Sequence, residues 1–136
     1  MNLDRARKFI AEHHHAVLAT RKRDDSAQLS PVLVNLDGAG RAIISSRETA
    51  FKVRNLRREP LAILCVFTDR FFGEWIQVEG RAEVLSLPEA MDPLIDYYKR
   101  FPDENPAWDD YRERMRREKR VLIRIELADA GPDRQG

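Results

Sequence analysis

Short apolar segments alternate with polar, often glycine-containing turns along most of the chain. Ala16, Val17, Leu18, Ala19 and Thr20 read as a strand, and the polar stretch 21–27 leads into a second strand over 28–36, making a hairpin. Asp37, Gly38, Ala39 and Gly40 supply glycines able to take positive φ, and a third strand follows over 41–45. Residues 61–67 are continuously apolar. Residues 74–85 alternate through Trp75, Ile76, Val78, Ala82, Val84 and Leu85, with Gly80 marking a bend or bulge, and 121–127 return as a last strand.

Helical spacing fills the gaps between these strands. Phe9 and Ile10 among charged neighbours predict a short helix over 4–12 that caps one barrel end. Ser45 and Glu48, three apart as in a capping box, with Ser46 as an alternative cap, predict a helix over 49–58 that ends before Pro60. Ser86 and Glu89 bracket Pro88 in a second capping pattern ahead of Met91, Leu94, Ile95 and Tyr98. Pro102 and Pro106 interrupt that helix, and helical character resumes over 108–119. The expected architecture is mainly β: a six-stranded antiparallel barrel with peripheral helices, formed by residues 1–128, and a loose tail over 129–136.

Composition narrows the function classes. The 136 residues suit one domain, and a 43% hydrophobic, 35% charged chain has enough apolar material to fold. The 24 Lys and Arg against 23 Asp and Glu leave a net charge of +1, so no bulk attraction to nucleic acid or to an anionic membrane is expected. No apolar run approaches the roughly 18–20 residues of a membrane helix, and no secretion signal is visible, which suggests a cytoplasmic protein. Cys65, the only cysteine, sits within an apolar run and reads as a buried structural thiol.

One stretch concentrates chemistry. Ser45, Ser46, Arg47, Glu48, Thr49, Ala50, Phe51 and Lys52 bring a strand end, hydroxyls, cations and a helix start together. Unpaired N–H groups at a helix start attract anions, serine hydroxyls donate, and Arg47 or Lys52 supplies full charge, so the stretch reads as a phosphate site. The competing reading is a solvated basic helix. His13, His14 and His15 diverge in direction and complete no zinc pattern, so no metal is expected. The cations of 112–120 are interspersed with Glu113 and Glu118, as on a solvated helix face, although Arg120 at the start of the last strand could reach a cofactor carboxylate or phosphate.

The segment 45–58, with Arg54-Asn55-Leu56-Arg57-Arg58-Glu59-Pro60-Leu61-Ala62, resembles the pyridoxamine-phosphate-oxidase-like split-barrel family, and more narrowly its actinobacterial branch that uses the deazaflavin coenzyme F420. The resemblance covers about residues 3–127 and includes Gln28-Leu29-Ser30-Pro31-Val32, Val78-Glu79-Gly80-Arg81-Ala82, Trp108-Asp109-Asp110-Tyr111-Arg112 and Arg120-Val121-Leu122. It implies that Gln28, Ser30, Pro31 and Val32 line a ring pocket, and that Ser45, Ser46, Arg47, Phe51 and Lys52 hold the phosphate. Relatives often carry a basic residue one or two positions before the lysine; this chain has Ala50 and Phe51 there, and Arg47 is the candidate replacement. The aromatic loop with Phe71, Phe72 and Trp75 is expected to shape the substrate side or a dimer contact, with core packing of Trp75 as the alternative.

No catalytic triad, Cys-His pair, P-loop or dinucleotide fingerprint is present. Flavin and deazaflavin chemistry requires none, because the cofactor carries the reaction and no catalytic side chain is expected. The implied function is a homodimeric F420-dependent oxidoreductase, with its site at the interface, that passes hydride to a small conjugated organic acceptor. The rivals are an FMN-dependent enzyme on the same barrel and a non-catalytic binder of flavin, deazaflavin or haem.

Overall fold

The protein is described here by a computed structural model covering residues 2–101 and 106–135. Helix α1, Leu3–Glu12, begins where the Asn2 side chain accepts the Arg5 backbone N–H at 2.8 Å, and it buries Ala6 and Ile10. Strands β1 (His15–Arg21), β2 (Ala27–Leu33), β3 (Asn35–Leu36) and β4 (Ala42–Arg47) follow. Next come α2 (Phe51–Arg58), β5 (Leu61–Phe67), β6 (Glu74–Leu85), α3 (Met91–Lys99), α4 (Trp108–Arg117) and β7 (Arg120–Gln135). All strand pairs are antiparallel, in the order β2-β1-β5-β6-β7-β4-β3.

That order forces the sheet to curl. β2 and β3 lie at opposite edges, yet only Val34 separates them in the chain. The two edges must therefore meet near Val34, whose side chain is fully buried and whose N–H donates to the His14 carbonyl at 2.9 Å. This is also why the strand count is seven rather than the expected six. The single strand read over 28–36 changes partner at Val34, its first part pairing with β1 and its last two residues with β4. The barrel stays open between β2 and β4.

Inward-facing Leu18, Ile44, Leu64, Ile76, Ile123 and Ile125 fill the barrel. A second, smaller core forms where α3 and α4 dock on the outer face of β4 and β7, joining Leu94, Tyr97, Tyr111 and Met115 to Ile43 and Leu122. Gly80 lies at a register shift between β6 and β7, and a Cβ there would sit 2.0 Å from the Glu126 carbonyl oxygen. Gly80→Ala is expected to cost about 3 kcal/mol, read as a lower denaturation midpoint, because backbone rather than a flexible side chain must give way.

Several local expectations are corrected. Ser45 and Ser46 belong to β4 and cap nothing; Ala50 precedes α2 without a side-chain cap bond. Glu48 instead accepts from Arg57 at 2.6 Å and from the Ser86 hydroxyl at 2.8 Å, a tertiary link between two turns. Ser86 is therefore no cap either, and α3 starts after Ala90. The segment expected to be loose from Asp129 continues β7, because it pairs with the part of β6 that precedes Gly80, from Glu74 to Glu79, whose backbone needs a partner. Cys65 is half-buried on the outer sheet face, not in the core, and burial pushes its thiol pKa up. The expected break at 102–106 falls mostly outside the described residues. No described helix is long and apolar enough to cross a membrane.

Candidate functional site

The opening between β2 and β4 contains a cavity of about 500 Å³. Pro31, Val32 and Leu33 from the end of β2 form one wall, and Ser45, Ser46 and Arg47 from the end of β4 another. Ala50 and Lys52 enter from the start of α2, Arg120 from the first residue of β7, and Tyr97, Tyr98, Tyr111, Arg114 and Met115 from α3 and α4. Arg47 and Arg120 are direct cross-strand partners, and Ser45 occupies the next row on the same face. Ser46 alternates to the face that points into the barrel and is 3% exposed, so Ser45 is the better placed of the two hydroxyls.

The electrostatics favour an anion. Arg47, Lys52, Arg114 and Arg120 all line the cavity. The carboxylate bonded to this group is Glu118, which accepts from Arg120 Nε at 2.9 Å and lies 3.6 Å from an Arg47 guanidinium nitrogen. Among the described residues, four cations against one bonded carboxylate leave an uncompensated positive surface. Lys52 registers it: burial, and then the charge of Arg120, hold its ammonium pKa below the ordinary lysine value. The N–H groups of Phe51 and Lys52, in the first turn of α2, have no intrahelical acceptor and add partial positive charge.

Two of the three tyrosines in the aromatic wall are held by hydrogen bonds to backbone carbonyls. Tyr97 donates its hydroxyl to the Leu33 carbonyl at 2.9 Å, and Tyr111 donates to the Leu94 carbonyl at 3.0 Å. Burial pushes both phenols up to about 12. A pH prediction follows from the contrast with Lys52. As pH rises through the lowered Lys52 value the site loses one positive charge while both tyrosines stay neutral, so anion affinity is expected to fall in the alkaline range below the ordinary lysine pKa. Titrations of inorganic phosphate against pH check this, and Lys52→Arg should flatten the profile because guanidinium does not titrate there.

Of the residues singled out from the sequence, the cavity unites Pro31, Val32, Ser45, Ser46, Arg47, Lys52 and Arg120. Gln28 and Ser30 share the β2 face of Val32 but lie further along the strand, outside the cavity. Phe51 is 69% exposed beside Arg54 and is not part of the wall. Trp75 is not either: it sits on the outer sheet face across from Phe67, because Ile76 and Val78 take the inward positions of β6. Phe71 and Phe72 are exposed near it, their rings 5.1 Å apart. Sequence reasoning missed Arg114 and the three tyrosines. The placement of Arg114 one turn from Tyr111, over whose ring it sits at 5.6 Å, was the available signal.

The three histidines do separate. His13 stacks near Phe9, His14 Nδ1 lies 2.9 Å from the Val34 carbonyl oxygen, and His15 pairs with Asp69.

A curled antiparallel sheet left open along one seam, with helices outside it and a cationic cavity in the opening, defines the split-barrel class. Residues 3–131 match the family model for pyridoxamine 5'-phosphate oxidase, and the chain belongs to that family. Among solved structures, a conserved hypothetical protein from Mycobacterium tuberculosis superposes with a TM-score of 0.77 at 22% identity, over 96% of this chain and 82% of that one. A structure described as an F420 reductase gives a TM-score of 0.66 at 19% identity, over 91% of this chain and 94% of that one. A haem-binding protein from Mycobacterium smegmatis gives 0.72 at 16% identity, over 94% of this chain and 52% of that one. At these identities the likeness is one of fold.

Proposed function

We propose that this protein is an F420-dependent oxidoreductase that reduces a small conjugated organic acceptor. The observation that carries the reading is the convergence of Arg47, Lys52, Arg114 and Arg120 on a cavity that also has a tyrosine wall. The donor set suits a phosphate-bearing ring cofactor: cations and Ser45 for the phosphate, and flat neutral surfaces from Tyr97, Tyr98 and Tyr111 beside it. A reduced deazaflavin, when bound, supplies a hydride at ring carbon C5. The chain's own part is to bind and orient. Lys52 and Arg120 neutralise the phosphate, Pro31 to Leu33 support the ring system from β2, and the aromatic wall keeps water from it.

The open side of the cavity calls for a second copy of the chain. Leu29, Pro31 and Leu33 continue across the outer sheet face into Val17 and Ala19 of β1 and Ile63, Cys65 and Phe67 of β5, then Trp75 of β6. Leu29 is 62% exposed and Leu33 49%, and the patch runs up to the cavity wall. A patch this contiguous suits a self-complementary dimer contact that closes the site.

Titrating the purified protein with F420 and with FMN, then mixing the reduced complex with enone and quinone acceptors, tests the reading. Tighter F420 binding with acceptor reduction is expected. Preference for FMN moves the protein to the flavin-dependent reading on the same barrel, and tight binding without turnover for any acceptor moves it to a carrier.

A further inference from the structure

The geometry points to Glu118 as an internal stand-in for the ligand's anionic group: its carboxylate engages the Arg47 and Arg120 guanidiniums and yields them when a phosphate binds. The inference rests on the anion-site reading above and names the residue that sets its affinity.

Three observations carry it. The first is position. Glu118 is the residue after α4, and Lys119, with φ at 52°, turns the chain so that Glu118 returns beside Arg120 at the start of β7. That turn is anchored, since the Lys119 carbonyl accepts the Glu48 N–H at 2.9 Å and so ties the α4–β7 turn to the β4–α2 turn that carries the site. The second is bonding. One oxygen, Oε1, meets both Arg120 Nε at 2.9 Å and Arg47 at 3.6 Å, the pairing a phosphate oxygen would make with two guanidiniums.

The third is that local structure disfavours a carboxylate here. A helix C-terminus carries partial negative charge, so an acidic residue just past α4 is opposed by the helix itself. The cations outweigh that opposition. The hydrogen bond from Arg120, and then the charges of Arg120, Arg47 and Arg114, outweigh the opposing effect of burial and hold the Glu118 carboxyl below the usual glutamate value. The Glu118 side chain is 21% exposed, so it borders solvent into which its carboxylate can turn when the guanidiniums are claimed.

A competing internal anion weakens binding of an external one. Inorganic phosphate, followed by 31P NMR titration, is the probe. Glu118→Gln keeps the shape and removes the charge, and is expected to tighten phosphate binding about tenfold, in the range of one charge-assisted bond. Unchanged or weaker binding by a variant with an unaltered melting curve overturns the inference. The wild-type protein gives a second reading that needs no variant: the Glu118 carboxyl carbon resonance should shift with the same midpoint as phosphate binding, and a resonance that stays fixed through saturation overturns it equally. Arg120→Ala separates the two levels. If it abolishes phosphate binding while Glu118→Gln gives no gain, the anion site stands and the role of Glu118 falls. If phosphate binds neither protein in a way that Arg120→Ala alters, both fall.

Discussion

Lys52→Ala is expected to weaken F420 binding by about 2 kcal/mol, roughly thirtyfold, and Arg120→Ala by about 3 kcal/mol, roughly 150-fold. Both side chains are partly withdrawn from solvent, Arg120 to 27% exposure, so their charge acts on a bound phosphate with less screening than a surface lysine would give. The order of the two effects is the informative part. Lys52→Ala removes one favourable charge, whereas Arg120→Ala removes a charge together with a planar fork of donors that can hold a phosphate by two bonds. Arg112→Ala, on α4 but outside the cavity, should leave affinity unchanged. Fluorescence titration of each variant checks the series, with melting curves to establish that the barrel is intact.

Leu29→Lys is expected to shift the dimerisation constant by about 3 kcal/mol, roughly 150-fold, because it places an uncompensated charge in an apolar contact. Leu29 is a clean probe. It is exposed on the single chain, it lies on the outer face of β2, and it does not line the cavity, so neither folding nor the cationic cluster is touched directly. Sedimentation is expected to find the parent protein dimeric, as proposed, and the variant monomeric at the same concentration. Its F420 affinity should fall with dissociation, since the β2 wall of the cavity is continuous with the contact face. A monomer that retains full affinity would separate the site from the interface.

Much of this was legible in the sequence because strand and helix periodicities are local. Alternation along 74–85 and the apolar run at 61–67 mark β6 and β5 directly. The gathering of Ser45, Ser46, Arg47 and Lys52 at one cavity was readable because a strand end, a helix start and two cations are close in sequence. What alternation cannot give is which face looks inward. Trp75 and Ile76 are both apolar neighbours, and the barrel buries the isoleucine, leaving the tryptophan on the outer sheet face.

The partner switch at Val34 was likewise invisible, since it depends on which strands meet across the seam. Arg114, Tyr97 and Tyr111 reach the cavity only because α3 and α4 dock over β4 and β7, about 50–70 residues along the chain from Ser45. The same long-range packing redirected Glu48. Its spacing from Ser45 suggested a cap, but Arg57 and Ser86, brought in by tertiary structure, hold its carboxylate.

The most direct test of the account is a crystal structure of the protein with F420 bound. The phosphate is expected in contact with Lys52 and Arg120, with Glu118 turned away from Arg47, and the deazaflavin ring between the end of β2 and the tyrosines of α3 and α4. A phosphate held elsewhere, with Arg120 still bonded to Glu118, would contradict it.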